Sequence, residues 1–179
     1  AEDGIRDDLV TGVQTCALPI YRDLAIEELC RKYNQNFYSY KDQVIFEEND
    51  ILKTDGTPYT VYTPYRKSWE KKFTPEMLQT FDSASPNNFT NLAVSEFPSL
   101  ESIGFHKSSA DEGKQRLDKA CLNNYENNRD YPAMDATSRL SVQLRFGTIS
   151  IRQLIKESVS INQTYVHELI WREFFMMIL

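Results

Sequence analysis

The C-terminal stretch YVHELIWREFFMMIL, Tyr165–Leu179, determines how the rest of the chain is interpreted. A helical period places Glu168 and Trp171 three residues apart on one face, with Arg172 beside them. A helix that only packs against a core keeps its charged groups opposite its aromatic ones. The mixture therefore suits a helix that lines a pocket for a flat, partly polar ligand. On spacing alone, an ordinary core helix whose charged groups reach solvent remains the alternative.

The composition is that of one globular domain of ordinary size. The 179 residues are 41% hydrophobic and 12% aromatic, which is enough for a sizeable core. No apolar run is long enough to span a bilayer, and the first residues are acidic where a secretory signal starts basic. Cys30 and Cys121 lack metal-ligand spacing and are typical of reduced intracellular thiols. Since His106 and His167 form no ligand cluster with them, we expect no metal. Because no apolar run could span a bilayer, we also expect no membrane partner.

The first twenty residues, Ala1–Ile20, do not match the rest of the chain. They show neither helical nor strand periodicity, Val10–Ile20 is a translation of a common sequencing adapter, and Ala1–Asp7 resembles the flanking adapter arm. We therefore predict a read-assembly artefact, with a short structured segment as the alternative. Ala1–Ile20 carries four acidic residues and one arginine, so without it the net charge of −6 becomes −3. That mildly acidic balance still permits a local basic face for nucleic acid.

Periodicity and turn residues predict a mainly helical chain with a few short strands. An amphipathic helix is expected at Asp23–Tyr33, with charges opposite its apolar positions, which are Leu24, Ala25, Leu29 and Cys30. Aromatic and β-branched residues predict strands at Asn36–Tyr40 and Gln43–Glu47. Thr74–Lys107 has no sustained periodicity and is expected to be a long connector. Further helices are expected at Tyr65–Lys72, capped by Thr63, at Asp111–Asn124, and from near Ile151 and Ile161.

The segment ATSRLSVQLRFG contains a candidate anion site. Thr137 and Ser138 are good helix-cap residues, and Gly147 is a natural helix end. Free N–H groups at a hydroxyl-rich helix start, with Arg139 nearby, can hold a phosphate. Hydroxyl caps occur at many helices, so a plain helix start is the alternative.

Two further segments combine charged and aromatic residues. Tyr125 and Arg129 are four residues apart, which would put a phenol and a guanidinium on one face, although Arg129 could instead pair with Asp130. The segment Tyr65–Lys72 mixes basic and aromatic residues, as nucleic-acid surfaces do, but a solvated helix that packs Tyr65 and Trp69 inward is the preferred interpretation.

The segment HELIWREFF (His167–Phe175) resembles the flavin-contacting helix of the DNA photolyase/cryptochrome family, in the form typical of class I cyclobutane pyrimidine dimer photolyases. Three more motifs of that family follow its order along the chain: DGTPYTVYTPYRKSW (Asp55–Trp69), NNYENNRDYP (Asn123–Pro132) and ATSRLSVQLRFGTISIRQ (Ala136–Gln153). The resemblance covers roughly residues 22–179.

The resemblance implies an α+β fragment that is mainly α. Residues 21–72 would be the C-terminal end of an N-terminal α/β, Rossmann-like antenna domain, after the artefact at residues 1–20. Residues 73–107 would connect the domains, and residues 108–179 would begin an all-helical FAD-binding domain. We therefore expect an internal fragment of a longer gene.

The resemblance also implies light-driven repair of cyclobutane pyrimidine dimers in ultraviolet-damaged DNA by electron transfer from reduced FAD. A folate or deazaflavin antenna chromophore is expected in the longer protein. By match of motif, the cofactor would be contacted by Tyr125, Thr137, Ser138, Arg139, Leu140, Ser141, Tyr165 and Arg172. Trp171 would stack on the lesion, and Glu168 would hydrogen-bond a pyrimidine and stabilise its radical anion, so both would be catalytic. DNA would be contacted by Arg129, Glu168, Trp171 and Arg172.

Two other functions remain open at this point. A cryptochrome-type blue-light signalling flavoprotein could keep much of the same scaffold. The chain as written could also be a non-functional fragment, since it lacks the family's downstream half of the flavin domain. We expect the longer protein to be an active dimer photolyase, monomeric and cytoplasmic, and the fragment to be inactive.

Overall fold

A computed structural model describes residues 13–47, 49–80, 96–109 and 113–178, and only the backbone of residues 13–20. The α-helices in these ranges are α1 (Val13–Lys32), α2 (Tyr62–Lys72), α3 (Lys119–Leu122), α4 (Tyr125–Asn128), α5 (Ser141–Phe146), α6 (Ile151–Ser158) and α7 (Gln163–Ile178). Short 3₁₀ turns lie at Pro75–Leu78 and Glu101–Ile103. Within the described ranges there is no β-strand, only an antiparallel bridge between Leu52 and Pro58. The mainly helical prediction is therefore confirmed.

The strands predicted at Asn36–Tyr40 and Gln43–Glu47 are wrong. A strand needs a neighbouring strand to accept its N–H groups. The N–H groups of Ile45 and Phe46 instead donate to the side-chain carboxylate of Glu173. The segment is therefore anchored by one acidic side chain and remains irregular.

The chain forms two compact units. The first unit comprises residues 1–73 and 166–179, and the second comprises residues 74–165. The buried hydrophobic side chains of the first unit are Val44, Ile45, Phe46, Ile51, Tyr65, Trp69, Val166, Leu169, Ile170 and Phe174. Those of the second unit are Leu78, Leu122, Tyr125, Ala136, Leu140, Leu144, Ile151, Leu154, Ile155 and Tyr165.

Helix α1 is longer than the helix predicted at Asp23–Tyr33. It begins at Val13, within the stretch whose sequence lacks periodicity, while residues 1–12 lie outside the described ranges. Its apolar side chains Leu24 and Leu29 are 56% and 54% exposed. Periodicity decides which side chains share a helix face, but it does not decide whether another element covers that face.

Helix α2 begins at Tyr62 with Val61 as its N-cap, so the predicted Thr63 cap is wrong. Pro64 still lies in the first turn, where its missing N–H costs nothing. Tyr65 and Trp69 are buried, as expected for a solvated helix that packs its aromatic rings inward.

In the second unit, the predicted helix at Asp111–Asn124 is reduced to the single turn α3. Its start is fixed by Asp118, whose carboxylate accepts a hydrogen bond from the N–H of Ala120. Ala120 is exposed on this turn, whereas Leu122 is fully buried. Residues 111–112 of the prediction lie outside the described ranges.

The remaining helix starts agree in part with the capping patterns. Helix α6 begins at Ile151 as expected and packs against the Pro75–Leu78 turn. Helix α7 begins at Gln163 rather than Ile161, because Asn162 supplies the side-chain oxygen that accepts the N–H of Tyr165. The described part of the connector contains only the two 3₁₀ turns, and residues 81–95 lie outside it. Among the described residues, no helix combines the length and apolar character that a membrane span requires.

Candidate functional site

Two buried tyrosines form the centre of the candidate site in the second unit. The rings of Tyr125 and Tyr165 meet edge to face, with centroids 5.2 Å apart and planes at 88°. The Tyr165 hydroxyl is buried and makes no hydrogen bond of acceptable geometry in the described structure. Burial raises the pKa of this phenol, and the neighbouring Ser138 hydroxyl has a smaller, opposing effect on it. A buried hydroxyl without a partner is costly, so it indicates a position where a polar ligand atom fits.

The TSRLS turn precedes α5 in the same unit. Helix α5 begins at Ser141 with Leu140 as its N-cap, so the prediction that Thr137 and Ser138 cap this helix is wrong. Leu140 is only 1% exposed and anchors the turn in the core, whereas Thr137, Arg139 and Ser141 are exposed. Two hydroxyls and a guanidinium are thus held on the surface by one buried leucine.

Arg139 has an unusual backbone conformation. Its φ of 52° lies in the left-handed region, which costs a residue with a Cβ roughly 1 kcal/mol or more. Its Nε lies 3.0 Å from an Asp135 carboxylate oxygen, and both side chains are more than half exposed. A strained conformation that exposes a guanidinium is a feature that functional sites often carry.

Arg129 lies at the end of α4, where its N–H donates to the Tyr125 carbonyl at 2.9 Å. The guanidinium carbon lies 6.0 Å from the centroid of the Tyr125 ring, so the expected shared face is present. The guanidinium also pairs with Asp130 at 3.4 Å, so the alternative partner is present as well. The half-buried Arg129 side chain is therefore oriented by two neighbours.

The second candidate surface lies on α7 in the first unit. Glu168, Trp171 and Arg172 are all partly exposed, as their shared helical face predicts. Trp171 stacks on Tyr62 with ring centroids 3.6 Å apart and planes at 11°, and more loosely on Phe175 at 5.4 Å. Arg172 donates from Nη1 to the Gln43 carbonyl at 2.8 Å, which fixes its guanidinium.

Tyr62 was not singled out from the sequence, yet it contacts α7 through both its ring and its hydroxyl. Its ring stacks on Trp171, and its hydroxyl donates to the backbone carbonyl of His167 at 2.9 Å. Burial raises the pKa of Tyr62 to about 12; Arg66 opposes this shift, and Glu168 adds to it. Glu168 is therefore close enough to act electrostatically on this tyrosine.

A charged group lies next to this pair. The Nε2 atom of His167 is 3.1 Å from a Glu70 carboxylate oxygen, and Nη1 of Arg66 lies within 3.2 Å of both imidazole nitrogens. The Nε of Arg66 is buried without a hydrogen-bond partner in the described structure. The sequence spacing gave no signal for this group, because its members come from two helices about 100 residues apart.

Glu173 is a buried carboxylate with several hydrogen-bond donors around it, and it was not singled out from the sequence. Only 2% exposed, it accepts hydrogen bonds from four donors: Ile45 N at 2.6 Å, Phe46 N at 3.2 Å, Tyr65 Oη at 3.2 Å and Trp69 Nε1 at 2.7 Å. Burial raises the pKa of Glu173, and these hydrogen bonds oppose that shift. The available signal was its helical spacing from Leu169 and Ile170, four and three residues earlier, because a carboxylate on an apolar face needs hydrogen-bond partners.

Comparisons with known proteins bear on the candidate site in the second unit and on the candidate surface of α7 in the first unit. Residues 7–86 match the family model described as DNA photolyase. Over 177 residues the chain is 32% identical to a deoxyribodipyrimidine photo-lyase of Alkalihalophilus pseudofirmus, covering 88% of this chain and 36% of that protein. These matches support the DNA photolyase family.

Two other photolyases show the same extent of similarity. Proteins named deoxyribodipyrimidine photo-lyase from Synechococcus sp. and Escherichia coli are 30% and 27% identical, over 75% and 86% of this chain. The match covers 34% and 36% of their lengths, so the chain spans about a third of the photolyases that it matches.

The predicted photolyase site residues divide between the two units. The second unit contains Arg129 and the cofactor candidates Tyr125, Thr137, Ser138, Arg139, Leu140, Ser141 and Tyr165, whereas Glu168, Trp171 and Arg172 lie in the first. Within the second unit, the structure brings Tyr125, Tyr165, Ser138 and Arg129 together. Within the first, it adds Tyr62 to the predicted trio. No group of three or more His, Cys, Asp or Glu side chains that could hold a metal ion occurs in the described ranges.

Proposed function

We propose that the longer photolyase of which this chain is a part repairs cyclobutane pyrimidine dimers in DNA with light and FAD. The observation that supports this most is the partly exposed pair of Glu168 and Trp171, one helical turn apart on α7. The relatives named deoxyribodipyrimidine photo-lyase support the same reaction.

The second unit offers the groups that FAD requires. The buried Tyr165 hydroxyl lacks a partner, and the TSRLS turn exposes the Thr137 and Ser141 hydroxyls and the Arg139 guanidinium. Hydroxyls and a guanidinium are the donors that a diphosphate accepts best. We propose that these residues, with Tyr125, Ser138 and Leu140, hold the cofactor, and that Arg172 lies near its ring. When bound, reduced and excited by blue light, FAD supplies the electron for which no side chain is a sufficient donor.

The first unit offers the groups that a lesion requires. Stacking on the Trp171 indole contributes about 1–3 kcal/mol per base, and extruding a nucleotide costs a few kcal/mol, less for a damaged step. The two nearly cancel, so extrusion is favourable only at damaged sites. The proposed role of Glu168 is to hydrogen-bond a pyrimidine where negative charge develops. Arg129 is proposed to contact the DNA backbone, and Arg172 to contribute to the DNA surface.

The domain division extends the same proposal. Residues 21–72 would end a Rossmann-like antenna domain that holds a folate or deazaflavin, residues 73–107 would connect the domains, and residues 108–179 would begin the FAD-binding domain. A monomeric state and a cytoplasmic location are also proposed, and both rest on the resemblance alone.

The decisive experiment is repair by the full-length photolyase. An oligonucleotide with one thymine dimer is illuminated with blue light, and restored thymine is counted against a dark control. Trp171→Ala should weaken binding to damaged DNA while flavin content is kept, whereas Met176→Ala, an exposed position on the same helix, should change neither. A flavoprotein that responds to blue light but restores no thymine would support signalling instead.

A separate titration tests the isolated chain. Because the chain spans about a third of its relatives, we expect the 179-residue protein to bind FAD poorly. Tight stoichiometric binding would show that the second unit suffices to hold the cofactor.

A further inference from the structure

The indole of Trp171 is held mainly by one neighbour. Its ring lies 3.6 Å from the Tyr62 ring at an angle of 11°, which is a close parallel stack. Phe174 meets it edge-on at 5.7 Å, and Phe175, which is 48% exposed, lies 5.4 Å away. Tyr62 therefore covers one indole face more closely than any other described ring.

Tyr62 is itself fixed to the helix that carries Trp171. Its hydroxyl donates to the His167 carbonyl, four residues before Trp171 on α7. Its ring also packs against Phe174, with centroids 5.9 Å apart and planes at 65°. The phenol is thus held at its hydroxyl end by backbone and along its ring by aromatic side chains, so its plane sets the plane of the indole.

We infer that Tyr62 is a positioning residue, which holds the Trp171 indole in the orientation that stacks on a damaged base. This inference rests on the proposed function. The close Tyr62 stack occupies one face of the indole. Phe175 also stacks on the indole, at 5.4 Å and 23°, but it is 48% exposed and is the ring that a base would displace. A preorganised indole binds a flipped base more tightly than one that must first lose rotamer freedom.

The test is a double-mutant cycle in the full-length photolyase. Tyr62→Leu removes the aromatic stack and keeps apolar volume, Tyr62→Phe removes only the hydroxyl, and Trp171→Ala removes the indole. Each variant, and the Tyr62→Leu/Trp171→Ala double variant, is titrated with an oligonucleotide that contains one thymine dimer and with its undamaged counterpart. Bound flavin is measured by its absorbance, and Met176→Ala is the matched control.

Tyr62→Leu should weaken dimer binding about two- to tenfold, the range expected for a stacked aromatic pair. Flavin content and binding to undamaged DNA should not change, Tyr62→Phe should lose less, and the double variant should be no weaker than Trp171→Ala alone.

Three results would overturn the inference. If Tyr62→Leu binds the dimer like the wild type while Trp171→Ala does not, the inference fails and the proposed function stands. If the two losses add, or if Tyr62→Leu loses flavin in parallel with DNA affinity, Tyr62 acts independently or only as a packing residue. If Trp171→Ala itself leaves dimer binding unchanged, the proposed function of Trp171 fails and the inference fails with it.

Discussion

Replacing Glu173 with Gln should destabilise the first unit strongly. The carboxylate accepts four hydrogen bonds, two from backbone N–H groups and two from the side chains of Tyr65 and Trp69. A glutamine has one acceptor oxygen, and its amide nitrogen is a donor. Oε2 accepts only the Ile45 N–H, whereas Oε1 accepts the other three donors, so the least costly glutamine orientation turns its N–H₂ group toward the Ile45 N–H in a site that excludes water.

The size of the effect follows from those lost acceptors. A buried donor left without a partner costs about 1–3 kcal/mol, so the Ile45 N–H and the new amide N–H₂ together cost about 2–6 kcal/mol. Removing a buried charge offsets part of this loss, because the desolvation of Glu173 is relieved. We expect the free energy of unfolding to fall by about 2–4 kcal/mol.

The assay is urea denaturation followed by tryptophan fluorescence, since Trp69 donates directly to this carboxylate. Glu126→Gln is the control, because Glu126 is exposed on α4. A Glu173→Gln variant with the same unfolding midpoint as Glu126→Gln would refute the four-donor account of this side chain.

Acidity adds a second readout with a definite sign. Burial raises the pKa of Glu173, so the folded state binds its proton more tightly than the unfolded state does. The stability contributed by this group is therefore complete below its unfolded pKa and is lost as the pH rises through the folded pKa. The stability advantage of wild type over Glu173→Gln should grow as the pH falls through the folded pKa toward the ordinary value of 4.5. An advantage that shrinks on acidification would contradict the direction of the shift.

Three further substitutions test the second unit. Asp135→Asn releases Arg139 from its ion pair; because exposed pairs contribute up to about 1 kcal/mol, FAD titration should show up to about fivefold tighter binding. Riboflavin, which lacks phosphates, should bind unchanged, and equal gains for both ligands would contradict a phosphate role. Tyr165→Phe removes a buried unpartnered hydroxyl and should stabilise the ligand-free protein by about 1 kcal/mol in thermal unfolding, with no gain as the opposing result. Gly147→Ala, at a φ of 67°, should cost about 1–2 kcal/mol in the same assay, whereas an unchanged midpoint would show that the α5 end relaxes freely.

Features that depend on local spacing were predictable from the sequence. Gly147 ends α5 in a left-handed conformation, and α6 begins at Ile151, because both depend on residues within one helical turn. The shared face of Glu168 and Trp171 was predictable for the same reason.

Features that depend on distant partners were not predictable. The strand pattern at Gln43–Glu47 was overridden because a carboxylate 128 residues away from Ile45 takes its N–H. Tyr62 could not be recognised as the partner of Trp171, since periodicity in α2 says nothing about the ring that another helix brings to it. The start of α5 at Ser141 shows that good capping residues compete, and that the burial of Leu140 decides among them.

The left-handed conformation of Arg139 has a consequence for engineering. Glycine adopts this backbone geometry without a steric penalty, so an Arg139→Gly chain would gain roughly 1 kcal/mol of folding stability from relieved strain. The same exchange would remove the only cationic side chain of the TSRLS turn. Screens that select for heat tolerance alone would thus favour losing the guanidinium, and a thermostabilised photolyase from such a screen should be checked for cofactor retention first.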